Sequence, residues 1–228
     1  MKTAVVIPAL NEAGNIANLV DELLPLVDLV VVADNGSTDQ TGPVAAEAGA
    51  TIVTEPRKGY GYACAAGSSA ATERGAEVIA YIDGDHSSVP DEIELLIEPI
   101  QSGRADLVLG SRTLGHIEPG AMPPHQRFGN WLSANLMRQL YQVTVTDLGP
   151  YRAIRTDLLL SLEMEEMTFG WPTEMMVKSA NRDARIVEVP VTWRSRREGR
   201  SKVGGTVSGS VQAARHILGV TWRYRQRR

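Results

Sequence analysis

The sequence predicts a single α/β domain, with a mostly parallel sheet covered by helices on both faces. Three observations carry that prediction. Short apolar runs alternate with helix-period patterns through the first half of the chain. The links between them are short, as in strand–helix–strand units. Polar motifs follow directly on the apolar runs, and open α/β sheets bind ligands beyond the carboxyl ends of their strands.

Thr3–Ile7 reads as a buried strand. Asn15–Leu24 sets Ile16, Leu19, Val20, Leu23 and Leu24 on one helical face. Leu29–Ala33 is a strand, Thr38–Ala48 a helix stopped by Gly49, and Thr51–Thr54 a strand. Gly61–Arg74 is helical and Val78–Ile82 a strand. Pro90 opens a helix at its first turn, where a missing N–H costs little, and Asp91, Glu92 and Glu94 suit its positive end. Leu107–Leu109 closes the series as a strand. Beyond it, Gly115–Pro124 reads as a mobile Gly/Pro loop and Gln126–Tyr141 as a helix. Thr156–Leu162 and Pro172–Ala180 read as short helices, and Arg185–Val189 as extended. Arg194–Gly205 is a basic loop, after which Val207, Val211, Ala214, Leu218 and Trp222 mark one face of a closing helix.

The 228 residues, 43% apolar, suffice for one sizeable core, and no repeat or linker divides them. Cys64 is the single cysteine, which excludes an internal disulfide and fits a reducing, cytoplasmic setting. It is expected to pack in the core. No charged segment leads into an apolar run at the N-terminus, so no signal peptide is expected. Leu23–Ala33, broken by Pro25 and Asp28, is too short to supply the roughly 20 residues of a membrane-spanning helix. Work on lipid would proceed from the water side, with peripheral contact at the inner membrane surface. The net charge of −4 hides an asymmetry: ten of the 23 Lys/Arg but one of the 27 Asp/Glu fall from Arg194 onward. A basic end on an acidic body predicts an anionic partner. Nucleic acid is not expected, since the basic stretch offers few aromatics for stacking.

Asp83-Gly84-Asp85, just past a buried strand, forms a hard-oxygen site suited to Mg²⁺ or Mn²⁺, with Gly84 allowing a tight turn. Asp34-Asn35-Gly36-Ser37-Thr38-Asp39 offers a carboxylate to a nucleobase N–H, while Ser37 or Thr38 suits a helix N-cap. Both can hold at once. Arg57-Lys58-Gly59-Tyr60-Gly61 sets cations and glycines at a helix start, where phosphate binds and glycine admits it to the backbone. It is not a Walker loop, and no Gly-x-Gly-x-x-Gly follows the first strand, which argues against a dinucleotide site. Met164, Met167, Met175 and Met176 read as core, or as the lining of an acceptor channel.

These residues, in this order, resemble family 2 glycosyltransferases. The likeness rests on Val6–Glu12, Asp34–Thr41, Arg57–Gly61, Asp83-Gly84-Asp85 and Gly110-Ser111-Arg112, and continues through Asp147–Arg152, Gly170–Glu174 and Gly199–Lys202. It points to the branch of dolichyl- and polyprenyl-phosphate mannose or glucose synthases. The resemblance implies a Rossmann-like GT-A fold and an inverting, metal-dependent transfer from a UDP- or GDP-sugar. It implies that Pro8, Leu10, Asn11, Glu12, Asp34, Gly36, Lys58, Gly59, Asp83 and Gly84 hold the nucleotide sugar, and that Asp83 and Asp85 take the metal. Residues 1–112 would form the donor half, 113–205 the acceptor half and 206–228 a basic amphipathic helix. Arg112, Arg127, Arg200, Ser201 and Lys202 would cradle an acceptor phosphate. The lipid-phosphate branch often has a metal-binding Gln where this chain has Ser87, which leaves His86 or Ser87 as third ligand, and family members often have a second Asp at Asn35.

A phosphate acceptor needs cations and no base. A soluble hydroxyl acceptor needs a base to take its proton, and Glu174 is the candidate for that role, or else a helix-start carboxylate. A sugar nucleotidyltransferase and a non-catalytic binding module are the remaining readings.

Overall fold

The first strand, Thr-Ala-Val-Val-Ile-Pro-Ala, carries almost no polar side chain because both of its faces are covered. Side chains alternate across a strand. Val5 and Ile7 therefore join Ile16, Leu19, Leu23, Ile93 and Leu96 in one core, while Ala4 and Val6 join Cys64, Ala71, Met175 and Met176 in another. The computed structural model describes residues 1–196 and 219–224.

Strands β1 (Thr3–Ala9), β2 (Leu29–Asp34), β3 (Thr51–Thr54), β4 (Val78–Tyr81), β5 (Leu107–Ile117), β6 (Arg152–Arg155) and β7 (Ile186–Trp193) form one sheet. Their order is β3-β2-β1-β4-β6-β5-β7. The pairs β1/β2, β1/β4, β2/β3 and β5/β7 are parallel, and β6 runs antiparallel between β4 and β5. Helices α1 (Ala13–Leu23), α2 (Thr41–Glu47), α3 (Tyr60–Glu73), α4 (Ile93–Gln101), α5 (Pro124–Tyr141), α6 (Thr156–Ser161) and α7 (Trp171–Ala180) complete the domain. The core under α1 and α4 lies on one face of the sheet, and that under α3 and α7 on the other.

Three expectations need correction. Gly115–Pro124 is not one loop: β5 continues to Ile117, pairing His116 with Thr192 and Ile117 with Trp193 after a register shift. Local composition suggested a break there, but pairing with β7 holds the segment extended. The strand β6 escaped prediction because Arg-Ala-Ile-Arg is short and flanked by charge. Arg152 is nevertheless buried, and its guanidinium donates to the carbonyls of Pro172 (2.7 Å) and Gly149. The helix opened by Pro90 is first a 3₁₀ turn, Pro90–Glu92, and only then α4.

The glycines that open α3 serve the protein's own backbone. A Cβ on Gly61 would lie 2.5 Å from both the Glu166 carbonyl oxygen and Met167 Cα, and Gly59 faces the same loop. Gly61→Ala must push that loop away, at a cost of about 1–3 kcal/mol. The gain in helix propensity, up to about 1 kcal/mol, offsets part of this. Thermal melting should therefore show a lower Tm, by a few degrees at about 2–4 °C per kcal/mol. An unchanged Tm would mean that the loop yields freely.

Candidate active site

A cleft of about 550 Å³ opens beyond the carboxyl ends of β1, β2 and β4. Its volume is in the range that takes a small-molecule ligand. Pro8, Leu10 and Glu12 reach it from β1 and the turn after it, Lys58 and Gly59 from the start of α3, and Asp83, Gly84 and Asp85 from the turn after β4. The structure thus brings together eight of the eleven residues expected to hold a nucleotide sugar or its metal, Gly84 and both aspartates among them.

Asn11, Asp34 and Gly36 are not part of that lining. The Asn11 side-chain oxygen accepts from the Thr38 N–H (2.8 Å), and the Asn11 N–H donates to Ser37 Oγ (2.9 Å). Asp34 Oδ1 accepts from the Ser37 N–H (2.9 Å), closing its own turn, with Gly36 at φ +77°. Ser37 and Thr38 brace this turn and cap no helix: α2 starts later, at Thr41. The wall residue is Asn35. Its amide donates to the Glu55 and Arg57 carbonyls (3.1 and 2.7 Å) and accepts from the Gly59 N–H (2.8 Å). Arg57, read as a phosphate cation, instead makes a two-pronged pair with Glu55 and lies 4.4 Å from the Tyr62 ring centroid. That guanidinium holds the Glu55 carboxyl down to about 2.

Asp83 and Asp85 bring two carboxylates into the same cleft. Burial, and then the neighbouring Asp85, push the Asp83 carboxyl above its ordinary range, although the Tyr60 hydroxyl donates to it at 3.3 Å. Asp85 Oδ1 accepts from the Ser87 N–H (3.0 Å) and Oγ (2.6 Å). Asp85 Oδ2 and Glu12 Oε1 share the Arg196 guanidinium at 2.7 and 3.2 Å, so a positive group already lies between carboxylates of this site. The donor set, oxygen only and mutually repelling, fits Mg²⁺ or Mn²⁺. Among the described residues no cluster of three or more His, Cys, Asp or Glu suits a metal. A bound cation would complete its shell from phosphate and water. His86 is buried with Nε2 4.0 Å from Glu22 Oε1 of α1, outside the cleft lining, whereas Ser87 turns its hydroxyl to Asp85.

Arg112 forms the opposite wall. Its Nε and Nη2 each lie 2.7 Å from the fully buried Asp147 carboxylate, which also accepts the Arg112 N–H at 2.7 Å. The guanidinium carbon stacks 4.9 Å from the Trp193 ring centroid. Glu188 of β7 holds Asp147 in turn, accepting its N–H at 3.0 Å. Arg127 is exposed and donates to the Met122 carbonyl, outside the cleft lining. Arg200, Ser201 and Lys202 lie outside the described residues.

Glu174, expected as a base or else as a helix-start carboxylate, does not line the cleft. It is fully buried at the start of α7. Its oxygens accept from the Glu165 and Glu166 N–H groups, Lys178 Nζ (2.8 Å) and the Tyr224 hydroxyl. Burial opposes its ionisation, but these donors outweigh it and hold its pKa below the ordinary value. The residues that sequence reasoning passed over are Arg196, Trp193 and Asp147. Only Asp147 stood in a quoted motif, and pairing across 35 residues leaves no local signal.

An oxygen-lined acidic pair in one cleft with a lysine, at the carboxyl edge of a mostly parallel sheet, suits a phosphate-bearing ligand and its cation. The chain belongs to glycosyl transferase family 2, whose model matches residues 4–162. It is 36% identical over 212 residues to an uncharacterized glycosyltransferase of Mycobacterium tuberculosis, covering 92% of this chain and 93% of that one. It is 30% identical over 237 residues to an undecaprenyl-phosphate mannosyltransferase of Micrococcus luteus, covering 97% and 96%. A polyprenol monophosphomannose synthase of Mycolicibacterium smegmatis is also 30% identical, over 90% and 82%. Among solved structures, glucosyl-3-phosphoglycerate synthase of Mycobacterium tuberculosis, crystallised with Mn²⁺, UDP and glucosyl-3-phosphoglycerate, shares the fold. Its TM-score is 0.78 at 23% identity, over 98% of this chain and 80% of that one.

Proposed function

We propose that the protein transfers a hexose, with inversion, from a UDP- or GDP-sugar to a polyprenyl phosphate. One observation carries the acceptor class. Among the described residues the cleft carboxylates are Glu12, Asp83 and Asp85, all on the donor side, and the facing wall presents Arg112 with neutral polar groups. A phosphate acceptor is anionic already and needs such a cation, whereas a hydroxyl acceptor needs a base. The two polyprenyl-phosphate relatives, aligned over most of their length, support the same reading.

On this reading residues 1–112 hold the donor and 113–205 the acceptor. Pro8, Leu10 and Glu12 wall the nucleotide, and Lys58 balances phosphate charge. Asp83 and Asp85 would hold Mg²⁺ or Mn²⁺, which would stabilise the charge gathering on the departing diphosphate. Asp147 takes Nε and Nη2 of Arg112 and so leaves Nη1 as the edge for the incoming phosphate. An acceptor phosphate oxygen forms the new bond to the anomeric carbon, and the bond from that carbon to the nucleoside diphosphate breaks.

Radiolabelled sugar should pass from its nucleotide into a butanol-extractable lipid phosphate. Label found only in water-soluble product would move the acceptor to the soluble class, the kind that glucosyl-3-phosphoglycerate synthase represents. Glu174→Gln gives a second check. It should lower the Tm, since trading a buried ionic hydrogen bond costs about 1–3 kcal/mol, yet keep kcat within a few-fold. Lost turnover with donor affinity intact would restore Glu174 as the base.

A further inference from the structure

The outer face of α5 carries two large exposed aromatic side chains. Phe128 and Trp131 are 63% and 58% exposed, with ring centroids 5.8 Å apart. At 100° per residue they share one arc of the helix with Arg127 and Arg138, both exposed. The eighteen residues of α5 include no Asp or Glu, in a chain of net charge −4. The opposite face of the same helix, at Gln126, Gly129, Asn130 and Ser133, lines the cleft.

An exposed aromatic pair is costly in water and marks a surface made to be covered. Aromatic rings flanked by arginines match one environment well: the headgroup zone of an anionic bilayer, apolar below and negative above. No helix among the described residues is long and apolar enough to cross a membrane, so α5 would lie flat on it. We propose that the outer face of α5 docks on an anionic lipid surface and brings the acceptor wall of the cleft to the headgroups. The inference rests on the polyprenyl-phosphate reading and adds the contact surface, which sequence composition had placed in the basic C-terminal end. Charge complementarity favours lipid over a second copy of this chain, since two such faces would oppose arginine to arginine.

The test uses the full chain and vesicles free of polyprenyl phosphate. The parent should sediment with phosphatidylcholine vesicles containing phosphatidylglycerol, and poorly with phosphatidylcholine alone. Phe128→Ala/Trp131→Ala should cut that partitioning by about tenfold or more, and Arg138→Gln by less. Transfer to a short, water-soluble isoprenyl phosphate should be unchanged in the double variant. The proposal is overturned if the double variant sediments like the parent, or if the parent binds no anionic vesicle. It is also overturned if the substitutions turn a dimer into a monomer in light scattering without altering vesicle binding. Vesicle binding that survives while no polyprenyl phosphate accepts sugar would instead remove the acceptor reading and leave the docking face standing.

Discussion

Asp85→Ala should lower sugar transfer by about a hundredfold or more while leaving the fold intact, the scale at which one preorganised charge-stabilising group acts. The side chain is bound on both oxygens, by Ser87 on one and Arg196 on the other, so its direction is fixed before any ligand arrives. It ends a turn that presents Asp83 and Asp85 to one cleft, where burial and then the Asp85 carboxylate make Asp83 harder to ionise. A cation relieves that repulsion, and alanine removes the need for one. The variant should therefore also lose the extra Tm that Mn²⁺ adds to nucleotide-sugar binding, a readout independent of turnover. Parent-like turnover by Asp85→Ala, or an undiminished Mn²⁺-dependent shift, would remove the metal from the proposal.

Much of this was legible from residue order. The alternation of apolar runs and helical periods located β1 to β4 and α1 to α3 within a few residues, because each is covered by the helices next to it in the chain. The Asp83-Gly84-Asp85 turn and Lys58 were legible because their chemistry is local. What escaped depends on contacts distant in sequence. The antiparallel β6 exists because β4 and β5 leave a gap that Arg152–Arg155 fills. Arg196 reaches Asp85 because the end of β7 closes onto the turn after β4, with Arg194 N–H donating to the Ser87 carbonyl at 2.7 Å. Glu174 looked catalytic for the opposite reason. A carboxylate after Gly-Trp-Pro-Thr suits a site, but two loop N–H groups and Lys178 claim it first.

The pairing of Arg112 with Asp147 yields the second large effect, and here stability and function separate. Asp147 is fully buried and is the sole carboxylate that the Arg112 guanidinium touches among the described residues. Removing it strands a largely buried cation, which costs up to about 3–5 kcal/mol. For a domain of this size that is a fall in Tm of roughly 6–20 °C. Asp147→Ala should also free Arg112 from its fixed orientation, so that acceptor KM rises while donor affinity stays near the parent value. Replacing both partners by apolar residues of similar volume, Arg112→Met with Asp147→Leu, removes the stranded charge and should recover most of the lost stability. Transfer should remain low in that double variant, because the acceptor-facing cation is gone. A double-mutant cycle on Tm and on transfer tests both statements at once. Recovery of activity along with stability would show that Arg112 serves the fold alone, whereas stability regained without activity ties the buried pair to the acceptor wall of the cleft.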